Sequence, residues 1–588
     1  MMNSEQGLYL SLMALAACLL ALIWTCGALA GALFGSGWAP IPLSSALATA
    51  LRLPLHLGDP RAAWPSGVRD SLPGPAGFYV TGGLLLVILT ALLALCHRAV
   101  ADLDLPSLLG RRPRAPAARW ARARDLTPLR VRSPEATRLT IGRIGRQLLA
   151  ARERESVIVF GPTETHKTSG LAIPALLEWE GPVLATSVKS DLLGVTLARR
   201  EELGEVMVFD PAQVTGVETT RATPLRGAAD WGGALEVAHW LAGAARSSAG
   251  GLQDADFWYT AAEKLLRPLL FAAAMGGRTM EAVVRWLDEG PEQIEGDVET
   301  LLNDSGEEAA LRAWRATQNR EERQRSSIYT TAEMIVAAFA DPRVIEETSD
   351  VEYTPQRLLD GGANTLYICA PRQQQERLRP LFAMLVQELM AEVEARELRN
   401  KRPLDPPLLL LLDECANIAP VPGLDEIAST AAALGVQLLT IFQDFSQLHA
   451  RWGNRAGSIV NNHRAKVFGA AISDAQTLDF VSRLLGAGEF EQRSMSRSSS
   501  KHDRRSETKG DMYRELAPAN FVRERKAGTA LLIDGELPPA QIRLRPWFED
   551  KPLCALRHID GAAREDQSQG RRTALLRQTA LRRGTHRA

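Results

Sequence analysis

SVIVFGPTETHKTSG, Ser156 to Gly170, is the stretch that decides the fold. Val157, Ile158 and Val159 are β-branched or apolar in sequence, close on Phe160, and are followed at once by the turn residues Gly161-Pro162-Thr163. Such a run favours a buried strand. Lys167 and Thr168 come next, and the small apolar segment Leu171 to Leu177 suits a helix. Strand, phosphate-sized loop, lysine, hydroxyl and helix is the order of a P-loop. Backbone N–H groups of the loop and the helix N-terminus cradle phosphate oxygens. The expected nucleotide-binding residues are therefore Gly161, Pro162, Thr163, Glu164, Thr165, His166, Lys167, Thr168 and Ser169. Lys167 would reach the β- and γ-phosphates, and the Thr168 hydroxyl would hold Mg²⁺.

One position departs from G-x-x-x-x-G-K-[ST]: His166 stands where glycine is expected. Glycine there keeps a Cβ away from the phosphates. The lysine is distinctive, because only nine of the 68 Lys and Arg residues are lysine. Taken alone, the loop remains open to reading as a chance turn in an α/β domain, so a second motif is needed.

That motif follows Pro406-Pro407. Five leucines, Leu408 to Leu412, lead straight into Asp413-Glu414. A buried strand that delivers two carboxylates at its end has the Walker B arrangement: Asp413 in the Mg²⁺ shell and Glu414 as the base that orients or deprotonates the attacking water. The next apolar run, Gln437 to Phe442, ends in Gln443-Asp444, and Gln443 is placed to bond the γ-phosphate or its water. Catalytic work is thus expected of Lys167, Glu414 and Gln443, and metal binding of Thr168 and Asp413, with ATP and Mg²⁺ as cofactors. An intact Walker B pair favours a working loop in which His166 takes right-handed helical angles and turns its ring away from the phosphates.

Seven short apolar runs read as buried strands of a parallel sheet: Val157–Phe160, Val183–Val188, Val206–Asp210, Thr365–Ala370, Leu408–Leu412, Gln437–Phe442 and Lys466–Ala470. Between Trp231 and Glu347 this texture gives way to helical spacing. The tryptophans there (Trp240, Trp258, Trp286, Trp314) read as core rather than as base-stacking platforms.

At 588 residues, 46% hydrophobic and 23% charged, the chain has a globular composition, and its net charge of −1 favours no class of partner. The six cysteines include no CxxC pair, so neither a zinc site nor a disulfide framework is indicated. No charged residue lies between Glu5 and Arg52, and Gly77 to Cys96 is a second uncharged run. Two transmembrane helices, about 8–34 and 77–96, are expected from this hydropathy. Three arginines in residues 35–76 against nine in Arg98 to Arg132 would keep both termini in the cytoplasm of an inner-membrane protein. The Ser-rich, basic segment Gln492 to Gly510 is expected to be a flexible loop.

With these motifs in hand the chain resembles the type IV secretion coupling proteins, the TraG/TraD conjugative DNA-transfer ATPases. The likeness rests on GPTETHKTSGLAIPALLEWEGPVLATSVKSDL, on LLLLLDECANIAPVPGLDEIASTAAALGVQLLTIFQDFSQLHARWG, on NNHRAKVFGAAISDAQTLDFVSRLLG and on MYRELAPANFVRERKAGTALLIDGELPPAQIRLRPWF. It implies an α/β fold: a RecA-like P-loop ATPase domain with an all-α insertion, behind a two-helix transmembrane anchor. The corresponding segments are 1–100 (transmembrane hairpin), 101–150 (basic juxtamembrane linker), 151–230 and 348–550 (RecA-like), 231–347 (insertion) and 551–588 (basic tail). It also implies a homo-hexamer whose partners are single-stranded DNA or a relaxase–DNA complex, the secretion channel and the membrane. Three departures stand out. His166 replaces a glycine, Ser187 stands where many members have aspartate, and Ala432-Ala433-Leu434 lacks the arginine often found before the glycine equivalent to Gly435. Arg451, Arg455 and Arg464 remain as candidate arginine fingers. The rival readings are a coupling receptor whose ATPase has decayed, a transporter of proteins alone, and a DNA pump of the FtsK/HerA kind.

Overall fold

The five-leucine run shows how this chain makes a sheet. Its alternate residues enter opposite cores: Leu408, Leu410 and Leu412 pack in one hydrophobic cluster, Leu409 and Leu411 in the other. Ile158 and Phe160 divide from Val157 and Val159 in the same way. A strand buried on both faces needs no polar alternation, which is why these runs are continuously apolar. The computed structural model describes residues 20–38, 41–102, 118–187, 190–246, 253–497 and 505–557. They fall into two units divided after Pro116.

The larger unit holds a 12-stranded sheet. In chain order its strands are β1 (Arg130–Val131), β2 (Thr140–Ile144), β3 (Gln147–Ala150), β4 (Val157–Phe160), β5 (Val183–Ser187), β6 (Val206–Phe209), β7 (Thr365–Cys369), β8 (Leu408–Leu412), β9 (Val436–Phe442) and β10 (Ala465–Phe468). A separate ribbon of β11 (Ala487–Arg497) and β12 (Arg505–Glu515) follows, and β13 (Thr529–Asp534) and β14 (Ala540–Arg543) return to the sheet. The sheet order is β1-β3-β2-β14-β13-β10-β4-β9-β8-β5-β7-β6. From β10 to β6 every pairing is parallel, so all seven apolar runs named above lie in this parallel part. From β13 outward the pairings are antiparallel.

Helices alone occupy the chain from Trp231–Arg246 through Pro342–Glu347 among the described residues. Trp286 and Trp314 are buried, and Trp240 and Trp258 pack against the same core. That core is continuous with the face of the sheet carrying Ile158 and Phe160.

Several expectations need correction. Residues 118–150 are not a linker, since β1, β2 and β3 lie there; residues 103–117 are outside the described part. Gln492 to Gly510 is not a loop: β11 and β12 pair in unbroken register from Ala487↔Glu515 to Arg497↔Arg505, with 498–504 outside the described residues. Lys551–Arg557, expected as tail, is a helix that buries Leu553; the remaining tail lies outside the described residues.

The smaller unit corrects the membrane anchor. Among its described residues no helix is long and apolar enough to cross a membrane. The described part of the first helix covers residues 20–34. Residues 8–19 of that expected span lie outside the described part. The helix Pro75–Asp102 carries Arg98 and Asp102 in its last turns. The two-pass, inner-membrane location inferred from those runs falls with them. Residues 41–74 carry short helical turns, among them Ala46–Arg52 and Pro60–Ala63. Trp64, Val68, Leu72 and Phe78 form a core with Cys26, Ala28 and Ala30. Gly27 permits this approach, for a Cβ there would stand 2.3 Å from the Trp64 ring. Arg69, counted above as a topology signal, closes the turn by donating to the carbonyls of Trp64 (2.8 Å) and Ala62 (2.9 Å).

Candidate nucleotide site

Parallel register sets the site. β4 pairs with β9, and β9 with β8, so the loop after β4, Gln443 after β9 and Asp413-Glu414 after β8 emerge at one end of three adjacent strands. Ligands of open α/β sheets bind at the carboxyl ends of the strands.

The loop is tightly wound. Gly161 lies where a Cβ would come within 2.9 Å of Thr165 Oγ1. Thr165 Oγ1 donates to the Pro162 carbonyl at 2.8 Å. The Lys167 ammonium folds over the loop, donating to the carbonyls of Pro162 (2.6 Å) and Gly161. Burial lowers the Lys167 pKa, and Asp413 and Glu414 work against that shift. Beyond Lys167 the chain makes a π-helical turn, Thr168–Ala172, before the α-helix Ile173–Glu178. Pro174 has no N–H to give Gly170, and the freed Gly170 carbonyl accepts from the Arg545 N–H instead, at 3.4 Å. The Ser169 carbonyl accepts from the Trp547 N–H at 2.9 Å. The C-terminal segment after β14 is thereby laced to the loop's helix.

His166 overturns one expectation. Its φ is +63°, in the left-handed region, not the right-handed one. Glu164, at φ +65°, shares that conformation. The ring nevertheless turns to Ser169, whose Oγ lies 3.0 Å from Nδ1, and rests against Phe548 with centroids 5.8 Å apart. Among non-glycine residues histidine is one of those enriched at positive φ.

Across the site, Thr168 Oγ1 donates to Asp413 Oδ2 at 2.9 Å. Asp413 is buried, and burial pushes its pKa up to about 6 against the pull of the Thr168 hydroxyl; Glu414 adds to the rise and Lys167 opposes it. The Asp413 carbonyl accepts from Thr186 Oγ1 at 3.0 Å, which fixes the end of β8 to β5. A hydroxyl and a carboxylate oxygen in contact make a donor set that fits Mg²⁺, an ion that takes one or two protein oxygens and completes its shell with phosphates and water. Among the described residues no group of three or more His, Cys, Asp or Glu would hold a metal by itself.

Glu414 also has a left-handed backbone, φ +48°. Its Oε2 accepts from Asn417 Nδ2 at 3.1 Å, Asn417 Oδ1 accepts from Gln447 Nε2 at 3.3 Å, and Gln447 Oε1 accepts from the Gln443 N–H at 3.0 Å. This relay ties the candidate base to the end of β9. Arg379 donates to the Asn417 carbonyl at 2.9 Å. Sequence reasoning missed Asn417, Gln447 and Arg379. It also missed Arg545, buried between Glu178 (2.8 Å) and Asp550 (2.9 Å) where it anchors the end of the loop's helix.

The structure brings Lys167, Thr168, Asp413 and Glu414 together and sets Gln443 beside them. The candidate arginines are elsewhere. Arg464 lies at the opposite end of β10, paired with Glu155 (3.0 Å) and Glu536. Arg455 pairs with Asp425 at 3.5 Å and Glu426 at 3.6 Å. Arg451 stands on the helix Phe445–Trp452, close enough to Arg379 to depress its pKa, although burial is the larger cause.

Residues 125–574 match the family model described as Type IV secretory system Conjugative DNA transfer. The conjugal transfer protein TraG of Escherichia coli is 24% identical over 362 residues, 56% of this chain and 55% of that protein. VirD4 of Rhizobium radiobacter is 24% identical over 431 residues, 69% of this chain and 58% of that protein. The chain thus spans little more than half the length of these relatives. Among solved structures, the bacterial conjugative coupling protein TrwBdeltaN70, in its trigonal form with sulphate, superposes with a TM-score of 0.54 at 19% identity, covering 73% of this chain and 95% of that one. The plasmid coupling protein TrwB in complex with ADP and Mg²⁺ gives a TM-score of 0.51 at 18% identity, covering 67% and 85%. The α/β fold of the large unit is the fold of these proteins.

Proposed function

The chain belongs to the Type IV secretory system conjugative DNA transfer family, and on that premise we propose that it is a P-loop ATPase coupling ATP hydrolysis to the movement of DNA, or of a relaxase–DNA complex, into a type IV secretion apparatus. The observation that supports this reading is the hydrogen bond from Thr168 to Asp413, which joins the P-loop to the carboxylate strand, with Lys167 near enough to Asp413 and Glu414 to feel both charges. Lys167 leaves the Gly161 and Pro162 carbonyls for the terminal phosphates. Thr168 and Asp413 hold Mg²⁺, which when bound neutralises phosphate charge. Glu414 accepts a proton from water as its oxygen bonds to the γ-phosphorus and the bond to the ADP oxygen breaks. Gln443, tied through Gln447 and Asn417 to Glu414, senses the γ-phosphate.

Six copies form a ring around a channel, with the site between neighbours; native mass spectrometry of the chain with ATP and Mg²⁺ checks this. The helices from Trp231 to Glu347 form a module that receives the relaxase–DNA complex, which crosslinking from exposed Arg323 tests. ATPase measurement with and without single-stranded DNA tests the central reading. Turnover that the DNA stimulates is expected, and none in either condition defeats it. One observation favours the decayed-receptor reading, the left-handed histidine at 166. A chain that binds cargo but never hydrolyses ATP would establish that reading instead.

A further inference from the structure

Sheet order gives a bound nucleotide a direction. β4 stands between β9 and β10, with β8 beyond β9, and with β13 and β14 beyond β10. Thr168 reaches towards β8, where it meets Asp413, and Lys167 feels Asp413 and Glu414 from that side. His166 and Ser169 meet the opposite half of the sheet. A Cβ on Gly528, the residue before β13, would stand 3.7 Å from His166 Cδ2. The Ser169 carbonyl accepts from the Trp547 N–H, in the segment after β14, and the His166 ring meets Phe548 of the same segment. In a P-loop the lysine serves the β- and γ-phosphates and the hydroxyl serves the metal, while loop N–H groups cradle the α- and β-phosphates. With the metal end fixed at β8, the α-phosphate and its nucleoside extend towards Ser169, His166 and the segment after β14.

That side of the loop carries an exposed aromatic ring. Among the described Phe, Tyr and Trp residues of the larger unit, only Phe257 and Phe548 are exposed. Phe257 stands on the helix Gln253–Met275, within the helical insertion. Phe548 is 50% exposed and lies at the loop. Its two ring neighbours meet it at steep angles, His166 at 59° and Trp547 at 86°. Neither stacks on it in parallel. Trp547 is already engaged, with the Arg557 guanidinium 4.6 Å from its ring centroid. The segment that carries Phe548 is also held in place from both directions. The Leu544 N–H donates to the Gly528 carbonyl at 2.8 Å, Arg545 is buried in its ion pairs, and the Glu549 N–H closes a turn on the Pro546 carbonyl at 2.9 Å. A ring fixed before the ligand arrives loses little freedom on binding.

We propose that Phe548 is the base-binding residue of the nucleotide site, its exposed ring stacking on the base of ATP while the Ser169 end of the loop holds the α-phosphate. Stacking reads the face of a base and not its edge, so Phe548 favours a nucleotide over bare phosphate. This assignment rests on the ATP-binding reading above and adds the place of the nucleoside to it.

The test uses the full chain with Mg²⁺ and titration calorimetry against two ligands, a non-hydrolysable ATP analogue and inorganic tripolyphosphate, which has no base. The unaltered chain should prefer the ATP analogue by about ten-fold or more, the effect of one base stacked on an aromatic ring. Phe548→Leu keeps an apolar side chain against His166 and removes the ring. It should weaken the ATP analogue by about ten-fold and leave tripolyphosphate within about three-fold. Phe548→Tyr, which restores a ring, should bind the ATP analogue as the unaltered chain does. Thermal melts of the variants should match, because the side chain is half exposed. Equal loss of both ligands in Phe548→Leu would overturn the proposal, since the ring would then act only by supporting the loop. Unchanged affinity for the ATP analogue in that variant would overturn it too, as would an unaltered chain that binds both ligands equally well. An unaltered chain that binds neither ligand would instead defeat the ATP-binding reading itself.

Discussion

Replacing His166 by glycine tests whether the P-loop works despite its missing glycine. The residue sits at φ +63°, where an L-side chain costs roughly 1–2 kcal/mol. Glycine removes that cost but brings its own backbone entropy, about 0.5–1 kcal/mol. It also loses the Ser169 hydrogen bond, worth about 0.5–1.5 kcal/mol, and the ring contact to Phe548, about 0.5 kcal/mol at this half-exposed position. Gains and losses nearly cancel, so stability should move by no more than about 1 kcal/mol. Affinity should move less still. The backbone already holds the angle glycine would adopt and the ring is engaged by Ser169 and Phe548, so the strain should be the same with and without nucleotide. His166→Gly should therefore leave the Kd for ATP within about three-fold, since about 0.7 kcal/mol is a factor of three. His166→Ala keeps the strained angle and loses both contacts, and should destabilise by about 1–2 kcal/mol. Thermal melts and titration with a fluorescent ATP analogue in the full chain measure both. Tightening by thirty-fold or more on glycine substitution would refute this reasoning, because it would mean that the histidine holds the loop away from its binding geometry.

Lys167→Ala should abolish measurable ATP binding, read by the same titration, because no other described cation donates into the loop. Glu414→Gln should bind ATP normally yet lose turnover by about a hundred-fold or more in a phosphate-release assay, whereas Asp413→Ala should raise the Mg²⁺ concentration needed for binding. Arg545→Ala strands Glu178 as a buried charge, leaves Asp550 to Arg143 alone, and should cost about 3–5 kcal/mol in denaturant melts; a loss below about 1 kcal/mol would remove Arg545 as an anchor of the loop's helix. His463, buried between Thr440 Oγ1 (3.0 Å) and the Ile459 carbonyl (2.8 Å), has its pKa pushed down to about 4 by burial. The unfolded chain takes up its proton first, so stability present above about pH 6.5 should fall, by as much as about 3 kcal/mol, as pH drops through 4; His463→Gln should flatten that part of the pH–stability curve.

Burial on two faces is what made the parallel strands legible: a run such as Leu408–Leu412 has no polar member to hide it. The antiparallel half was not legible for the converse reason. β14 alternates buried Ala540 and Ile542 with exposed Gln541 and Arg543, and four residues of alternation do not stand out in an arginine-rich chain. In β11 and β12 the cross-strand register, not an apolar pattern, defines the pairing, so a Ser-rich composition pointed to a loop. The site divides along similar lines. Lys167, Thr168, Asp413 and Glu414 follow strand ends at fixed offsets, and a strand end is readable. Asn417 meets Gln447 from 30 positions away and Glu178 meets Arg545 from 367, separations that carry no local signal.

The departure at His166 acquires a physical reason from that last pairing. Pro174 opens the helix after the loop, and the freed carbonyls of Gly170 and Ser169 are taken by the N–H groups of Arg545 and Trp547. The approach is close, since a Cβ on Gly170 would come within 3.1 Å of Leu544 Cβ. Phe548 follows directly in this segment and lies under the His166 ring. A glycine at 166 would hold the left-handed turn through freedom alone and touch nothing there. The histidine holds it through a hydrogen bond to Ser169 and a ring contact to the segment that also caps the π-turn. Loop and C-terminal segment are thus one packed unit, and displacement of Phe548 should disturb the loop as directly as a change at position 166.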